Sequence, residues 1–168
     1  MSAVDVELEN VLREFGPMLV RIAASYESDP AWREDLVQEI SIALWKAMPS
    51  FRGEAGLRTY IARIAHNRAV DHILRRKRVR ERISLDPEQV GATTPGSHEH
   101  LHQRMDLSAA IRRIPLGYRQ PLTLMLEGFR QSEIAEALGL EENTVAQRLS
   151  RGRSKLKQQL ESEPSDEP

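Results

Sequence analysis

Residues 131–158, QSEIAEALGLEENTVAQRLSRGRSKLKQ, carry the pattern that decides the fold. Apolar side chains at helical spacing over 134–138 predict a short helix packed on a core. Gly139 supplies the residue type that adopts a left-handed turn, and Asn143 is predicted to cap the helix that follows. A tight turn between two helices is typical of a helix-turn-helix unit, whose second helix enters the major groove of DNA.

The second helix of this unit has an apolar stripe and, opposite it, a polar and basic face. The stripe consists of Val145, Leu149, Leu156 and Leu160. On the outward arc, Gln147 and Arg151 are the residue types that pair bidentately with adenine and guanine. Residues 148–157 hold five basic residues and no acidic one. Many helix pairs with such a turn never touch DNA, but this uncompensated charge favours DNA as the partner.

Charge is unevenly placed along the 168 residues, although the formal net charge is only −1. Residues 58–82 hold nine basic and two acidic residues, whereas residues 1–57 hold five basic and ten acidic ones. The densest run is HILRRKRVRER at 72–82. Two basic blocks in an otherwise acidic chain suggest two contacts with one polyanion, and the alternative is an ordinary solvated surface.

Helical patterns fill the chain except at SLDPEQVGATTPGSHEH, residues 84–100, where Pro, Gly, Ser and Thr predict a linker. Strand alternation and hairpin turn pairs are missing from the sequence. We therefore predict an all-α fold of two small helical domains, residues 1–83 and 105–161. A flexible linker at 84–104 joins them, and an acidic tail occupies 162–168.

Composition excludes several classes of protein. The chain has no cysteine, which rules out a disulfide scaffold, thiolate catalysis and a Cys-based zinc site. No apolar run approaches membrane-spanning length and the N-terminus is unlike a signal peptide, so we expect a cytoplasmic protein without membrane insertion. No nucleophile–base pair or phosphate-binding glycine loop is recognisable, so we expect neither an enzyme nor a cofactor. His98, His100 and His102 alternate in the linker, but no further ligand completes a metal site.

Residues 33–47, REDLVQEISIALWKA, predict an amphipathic helix with two unusual outward residues. Its core face holds Leu36, Val37, Ile40, Ala43, Leu44 and Ala47. The opposite face holds Asp35, Gln38, Glu39 and Lys46, together with Ile42 and Trp45. Apolar residues on a charged face indicate either a second packing contact or a partner surface with apolar anchors and a polar rim. The residues alone leave both interpretations open.

Residues 57–75, LRTYIARIAHNRAVDHILR, predict a second informative helix. Its apolar stripe consists of Leu57, Ile61, Ile64 and Ala65. Another face holds Thr59, Arg63, His66, Asn67 and Val70. The hydroxyl, guanidinium, imidazole and amide of that face can hydrogen-bond base edges and phosphates. The preceding PSFRGEAG contains one proline and two glycines, which predict a loop.

Taken together, two long stretches resemble a bacterial sigma factor of the extracytoplasmic-function (ECF) group in the sigma-70 family. REDLVQEISIALWKAMPSFRGEAGLRTYIARIAHNRAVDHILRR resembles region 2, and IPLGYRQPLTLMLEGFRQSEIAEALGLEENTVAQRLSRGRSKLKQQL resembles region 4. The resemblance implies a promoter-specificity subunit that binds core RNA polymerase and promoter DNA. It also implies an anti-sigma factor as a partner and a monomer when the chain is free.

The resemblance assigns roles to individual positions. The segment that would bind the β′ clamp helices holds Asp35, Leu36, Gln38, Glu39, Ile42 and Trp45. The −10 element would meet Phe51, Arg52, Gly53, Thr59, Tyr60, Arg63, His66, Asn67, Arg75, Arg76 and Arg78, with the last three arginines on the DNA backbone. The −35 element would meet Asn143, Thr144, Gln147, Arg148, Ser150, Arg151, Arg153 and Lys155. Residues near Leu122–Phe129 would meet the β flap.

Three positions depart from the family pattern, and two rival classes remain. Asn143 stands where Gly is usual, and Ala146 and Gln147 stand where Lys or Arg and Ser are usual. The −35 preference therefore should not be copied from relatives.

One rival is a helix-turn-helix repressor, which would dimerise on a palindrome without polymerase. The other is a DNA recombinase, which would need a catalytic domain that the helical N-terminal half does not resemble.

Overall fold

The computed structural model describes residues 3–84 and 107–162, and every regular element in those residues is a helix. The helices are α1 (Ala3–Ala24), α2 (Pro30–Ala47), α3 (Leu57–Ser84), α4 (Leu107–Arg112), α5 (Leu116–Leu126), α6 (Gln131–Leu138) and α7 (Glu142–Glu161), with a 3₁₀ turn at Met48–Ser50. The all-α prediction is confirmed. Within the described helices, none is both long and apolar enough to cross a membrane.

The first three helices pack into the N-terminal bundle. Asp29 caps α2, because its carboxylate accepts hydrogen bonds from the backbone N–H groups of Ala31 and Trp32 at 2.9 and 3.2 Å, and proline occupies the first helical position. Four residues of the predicted core face of α2 are buried, namely Leu36, Ile40, Ala43 and Leu44, whereas Val37 and Ala47 are half-buried. The fully buried side chains are Leu19, Ile22, Leu36, Ile40, Leu44 and Ile61.

Helices α4–α7 form the C-terminal domain, and α6 and α7 make the predicted helix-turn-helix unit. Gly139 ends α6 in the left-handed region at φ 64° and ψ 40°, where a residue without Cβ is favoured. The predicted cap at Asn143 is wrong, because Glu141 is extended at ψ 143° and its carbonyl already accepts the first helical bond, from the Val145 N–H. Asn143 therefore lies inside the first turn.

Gly152 brings α7 unusually close to α5. It is buried in the middle of α7, and a Cβ placed there would lie 3.3 Å from the Tyr118 carbonyl oxygen and 3.6 Å from the Tyr118 Cβ. A methyl group at this position would press on backbone that has little room to move. The two helices are thus held in close contact by the small size of one residue.

The two helical halves pack against each other, chiefly through α3 against α6, and their buried residues form one continuous core cluster. Among its fully buried members, Leu19 and Ile61 come from the first half and Leu124 and Ile134 from the second. The predicted linker lies outside the described residues apart from Ser84, which ends α3, and so do its three histidines. The predicted acidic tail is described only at Ser162.

Candidate nucleic-acid and protein interfaces

The outward face of α7 is open along its length. Because Val145 and Leu149 point into the core, Gln147 and Arg151 project outward one turn apart. The predicted −35 residues in exposed positions are Asn143, Gln147, Ser150, Arg151 and Arg153, whereas Thr144, Arg148 and Lys155 are half-buried. This face presents an amide and guanidinium groups on the helix that a major groove would accept.

Two predicted −35 cations on α7 also contact α5. The Arg153 guanidinium lies 2.9 Å from the Met125 Sδ, and the Lys155 Nζ lies 5.8 Å from the centre of the Tyr118 ring. These are weak partners compared with a carboxylate. The charge of both residues therefore remains available to a phosphate.

On α2, the outward face combines exposed acidic and apolar side chains. Ile42 is 54% exposed and Trp45 is 48% exposed, and Asp35 and Gln38 are exposed beside them. Leu36 was expected on the polymerase-binding surface, but this prediction is wrong because Leu36 is fully buried in the bundle core. The sequence left two interpretations of Ile42 and Trp45, a second packing contact or a partner surface. The structure favours the partner surface, because neither side chain is buried by packing within the described residues.

The loop after α2 and the start of α3 enclose a recess. The rings of Phe51 and Tyr60 lie 5.0 Å apart, and the Tyr60 hydroxyl donates to the Ala47 carbonyl at 3.0 Å, which fixes the aromatic wall. The recess has a volume of about 240 Å³. It is lined by Ser50, Phe51, Arg52, Glu54, Ala55, Tyr60, Arg63 and Glu136. Glu136 comes from α6, so the C-terminal domain forms part of the wall.

His66 does not lie on an outward face. It is only 1% exposed, and its Nδ1 pairs with the Tyr26 hydroxyl inside the bundle. Burial lowers the pKa of His66 to about 3 and raises the pKa of the Tyr26 hydroxyl, so both groups stay neutral near pH 7. The prediction that this imidazole faces outward is wrong, because His66 is buried in apolar surroundings. Helical spacing alone does not reveal such burial.

The remaining −10 residues of α3 divide by exposure. Asn67 is exposed, whereas Thr59 is only 3% exposed, so the prediction that Thr59 contacts DNA is wrong for the same reason as that for His66. Arg63 donates a hydrogen bond through Nη2 to the Glu136 carbonyl of α6 at 2.8 Å. Here the name −10 face means the residues Tyr60, Arg63 and Asn67, which are predicted to meet the −10 element. Part of that face is thus covered by the C-terminal domain.

Arg58, which the sequence analysis did not single out, makes two contacts across this boundary. Its guanidinium donates to the Glu127 carbonyl and lies 4.1 Å from the centre of the Phe129 ring. Phe129 is itself buried. Sequence spacing gives no sign of such a contact, because the accepting carbonyl lies 69 residues away in the chain.

The basic end of α3 contains a buried ionic cluster. The His72 Nε2 lies 2.8 Å from a Glu27 carboxylate oxygen, and the Arg76 Nε lies 3.2 Å from the same oxygen. Arg76 also sits 4.4 Å from the centre of the Trp32 ring. Burial alone would raise the pKa of Glu27, but hydrogen bonds from His72 and the Asp29 N–H and the Arg76 charge hold that pKa below its usual value.

The three arginines predicted to hold the DNA backbone therefore differ. Arg76 is engaged by Glu27 and Trp32, Arg75 pairs with Glu39, and Arg78 is exposed. A phosphate would have to compete with a buried carboxylate for Arg76. The residues that sequence reasoning missed here are Glu27 and Trp32, which reach α3 only through tertiary packing.

Two family models match this chain in order. Residues 11–79 match sigma-70 region 2, and residues 104–156 match sigma-70 region 4. The first match contains α2, the aromatic wall of the recess and most of α3, and the second contains the helix-turn-helix unit.

Among curated proteins, the chain is similar to the ECF RNA polymerase sigma factor SigE of Mycolicibacterium smegmatis, with 28% identity over 163 residues. This match covers 94% of the chain but 63% of SigE. The RNA polymerase sigma factor SigZ of Bacillus subtilis is 26% identical, with 93% of this chain and 88% of SigZ covered. The chain therefore spans less than two thirds of the first relative and most of the second.

Two solved structures share the fold. CnrH, in complex with the cytosolic domain of CnrY, aligns with a TM-score of 0.68 at 23% identity, covering 94% of this chain and 89% of CnrH. The sigma factor RpoE from Bartonella quintana, in complex with the anti-sigma factor NepR, aligns with a TM-score of 0.70 at 24% identity, covering 94% and 99%.

Proposed function

Because the chain belongs to the sigma-70 family of RNA polymerase sigma factors, as a member of the ECF group, we propose that it directs core polymerase to specific promoters and starts DNA melting there. One observation carries this proposal. The exposed Trp45 face of α2 and the exposed Arg151 face of α7 lie in the parts of the chain that match regions 2 and 4.

We assign the outward face of α2 to the β′ clamp helices of the polymerase. Ile42 and Trp45 supply apolar anchors of the kind that dominate protein interfaces, and Asp35, Gln38 and Glu39 supply the polar rim. Leu36 acts only through the core that supports this face.

We assign α7 to the −35 element and the recess with the −10 face to the −10 element. Gln147 and Arg151 read base edges, and neighbouring cations bind phosphates, so affinity falls with salt. Capture of an unstacked non-template base shifts the duplex toward the open state, and stacking contributes roughly 1–3 kcal/mol per base. Phe51 and Tyr60 are the aromatic residues of the recess, so few bases can be held by stacking.

A stand-alone repressor would use the same helix-turn-helix unit. That alternative function leaves the part of the chain that matches region 2 without a role. We propose that the protein acts in the cytoplasm, without catalysis of its own, and as a monomer when free. Because RpoE is bound to the anti-sigma factor NepR, we further propose an inhibitor of this class for the present chain.

Reconstituted transcription tests the proposed function. Core polymerase, the purified protein and a genomic promoter library should yield promoter-dependent transcripts, from which the promoter consensus follows. Trp45→Ala should weaken binding to core polymerase by about 2 kcal/mol or more, as expected for a buried aromatic anchor. Val20→Ala is the matched control, because Val20 is equally exposed at 48% on α1. Absence of promoter-dependent transcripts and of a complex with core would overturn the proposal.

A further inference from the structure

Another recess lies between the basic end of α3 and the first two helices of the C-terminal domain, α4 and α5. Its volume is about 340 Å³. We call it the basic recess, because the charged side chains that line it are one carboxylate and five cations, Glu27, Arg76, Lys77, Arg80, Arg112 and Arg119. We propose that the basic recess binds a small free anion that carries at least two phosphate groups.

The carboxylate in the lining of the basic recess is already engaged. Glu27 is buried, and one of its oxygens lies 2.8 Å from the His72 Nε2 and 3.2 Å from the Arg76 Nε. Lys77 lies 3.9 Å from a Glu81 carboxylate oxygen, but these side chains are 71% and 62% exposed, so water screens the pair. The lining thus carries more positive than negative charge, and an anion placed there would offset the excess.

Backbone carbonyls hold two of the arginines against the basic recess. Arg119 donates from Nε and Nη2 to the Ile114 carbonyl at 3.1 and 3.0 Å, and Arg112 donates from Nη1 to the Ala24 carbonyl at 2.6 Å. A carbonyl oxygen is neutral, so such bonds fix the direction of a guanidinium without cancelling its charge. Burial and the Arg112 charge lower the pKa of Arg119 against an opposing effect of Tyr26. An anion between the two guanidinium groups would stabilise their charged forms.

The cations stand on two walls that belong to different halves of the chain. Lys77 and Arg80 come from α3, whereas Arg112 and Arg119 come from α4 and α5. A guanidinium can bind a phosphate group through two parallel hydrogen bonds, and an ammonium binds it as a point charge. A ligand that meets both walls needs negative charge at two separate points. Two linked phosphate groups supply that charge.

The size of the basic recess favours a small molecule over the DNA backbone. Its volume lies near the lower end of the range for small-molecule sites, about 300–1,000 Å³, and a continuous duplex would have to enter between two walls. The buried Tyr26 ring forms part of the lining, with the Arg119 guanidinium 5.8 Å from its centre, and the exposed Ser28 offers a hydroxyl donor. Arg76, the lining cation assigned to DNA above, stays with Glu27 and acts through its charge.

Isothermal titration calorimetry of the purified protein with pyrophosphate tests the site. One pyrophosphate should bind per chain, about tenfold or more tightly than inorganic phosphate, because a single phosphate group reaches one wall only. Arg119→Gln keeps an N–H donor but removes the charge, and it should weaken pyrophosphate binding by about tenfold or more. Equal affinity for pyrophosphate and inorganic phosphate would contradict the requirement for two phosphate groups.

A second variant and two matched controls separate the site from general charge. Because Arg119 also binds backbone carbonyls, Lys77→Gln combined with Arg80→Gln removes charge from the α3 wall without touching those bonds, and it should weaken pyrophosphate binding by about tenfold as well. Arg82→Gln and Arg113→Gln are the controls, since both arginines are exposed and neither lines the basic recess. Each control should change the affinity by less than about twofold. Thermal unfolding verifies that every variant is folded.

Duplex DNA of scrambled sequence separates the two sources of phosphate. Arg119→Gln should leave affinity for this duplex unchanged. A parallel loss of duplex and pyrophosphate affinity would assign the basic recess to the DNA backbone and overturn the inference. Absence of saturable pyrophosphate binding, or an equal loss of affinity in the control variants, would overturn it too. None of these measurements needs polymerase or a promoter, so their outcome is separate from that of the transcription experiment.

Discussion

The two helices that we propose read DNA differ in what their cations contact. On α7, Arg151 is exposed because the helix buries a single apolar stripe against its neighbours. On α3, Arg58, Arg63 and Arg76 each contact groups from other elements of the same chain. Similar residue types thus serve an accessible surface in one domain and tertiary contacts in the other. Charge in a sequence indicates affinity for an anion but does not say whether that anion is a phosphate or a carboxylate.

The largest effect is expected where an α3 arginine and a histidine share a buried carboxylate. Glu27→Ala should destabilise the protein by about 3–5 kcal/mol, because it leaves His72 and Arg76 without their buried acceptor. Urea unfolding measures the loss. Glu34→Ala, an exposed acidic residue on α2, is the control. A loss as small as that of the control would mean that the α3 cluster is no more structural than the α7 surface.

On α7, substitution of a cation should weaken DNA binding without lowering stability. Arg151→Ala should cost about 1–3 kcal/mol in binding to the −35 duplex while leaving the unfolding midpoint unchanged, because its guanidinium faces solvent. Fluorescence anisotropy with promoter and scrambled duplexes separates specific from general binding. Lys157→Ala, also exposed on α7, should weaken both duplexes alike. A lowered unfolding midpoint in Arg151→Ala would contradict the distinction between an exposed cation on α7 and the cations of α3 that make tertiary contacts.

Acid should lower the stability of the folded protein through His66, which lies on α3. Its folded-state pKa of about 3 lies below the ordinary value of 6.5, so the unfolded chain binds the proton more readily. Stability should therefore fall as pH drops from about 6.5 toward 3, with a slope of at most about 1.4 kcal/mol per pH unit from this group. Chemical unfolding of the parent and of His66→Gln across pH 5–7 measures the difference, and equal slopes would contradict it.

The smallest effects are expected for Arg76 and Arg78, two arginines of the basic stretch at 72–82, and they should differ in kind. Arg78→Ala should weaken all promoters alike and lower the salt slope by about 1, because Arg78 is exposed and suited to phosphate. Arg76→Ala should instead lower stability through loss of its contacts with Glu27 and Trp32. Salt titrations of DNA binding, paired with thermal unfolding, distinguish them. Identical behaviour of the two variants would show that the run acts as one surface.

The sequence predicted what depends on near neighbours in the chain. The buried face of α2, the left-handed Gly139 and the outward position of Arg151 all follow from helical periodicity and turn chemistry. The predictions for Leu36, His66 and Asn143 failed for particular reasons. Leu36 belongs to a core face, His66 is buried against Tyr26, and α7 begins one residue before Asn143.

The coverage of the −10 face could not be predicted, because its partners are distant in sequence and are mainly backbone carbonyls. Glu127 and Glu136 accept bonds from Arg58 and Arg63 through atoms that every residue possesses. No residue type marks such an acceptor. Sequence reasoning therefore located the helices, and the accessibility of each side chain required the tertiary structure.

The close approach of α5 and α7 at Gly152 has a mechanical consequence. Two helices packed so closely that a methyl group would crowd their backbones resist sliding past each other, so we expect them to move together. A rotation that separates the C-terminal domain from α3 would therefore carry the outward face of α7 with it. Under the proposed function, we expect the spacing between the two promoter elements to matter as well as their bases, because α7 cannot shift along α5 to reach a displaced element.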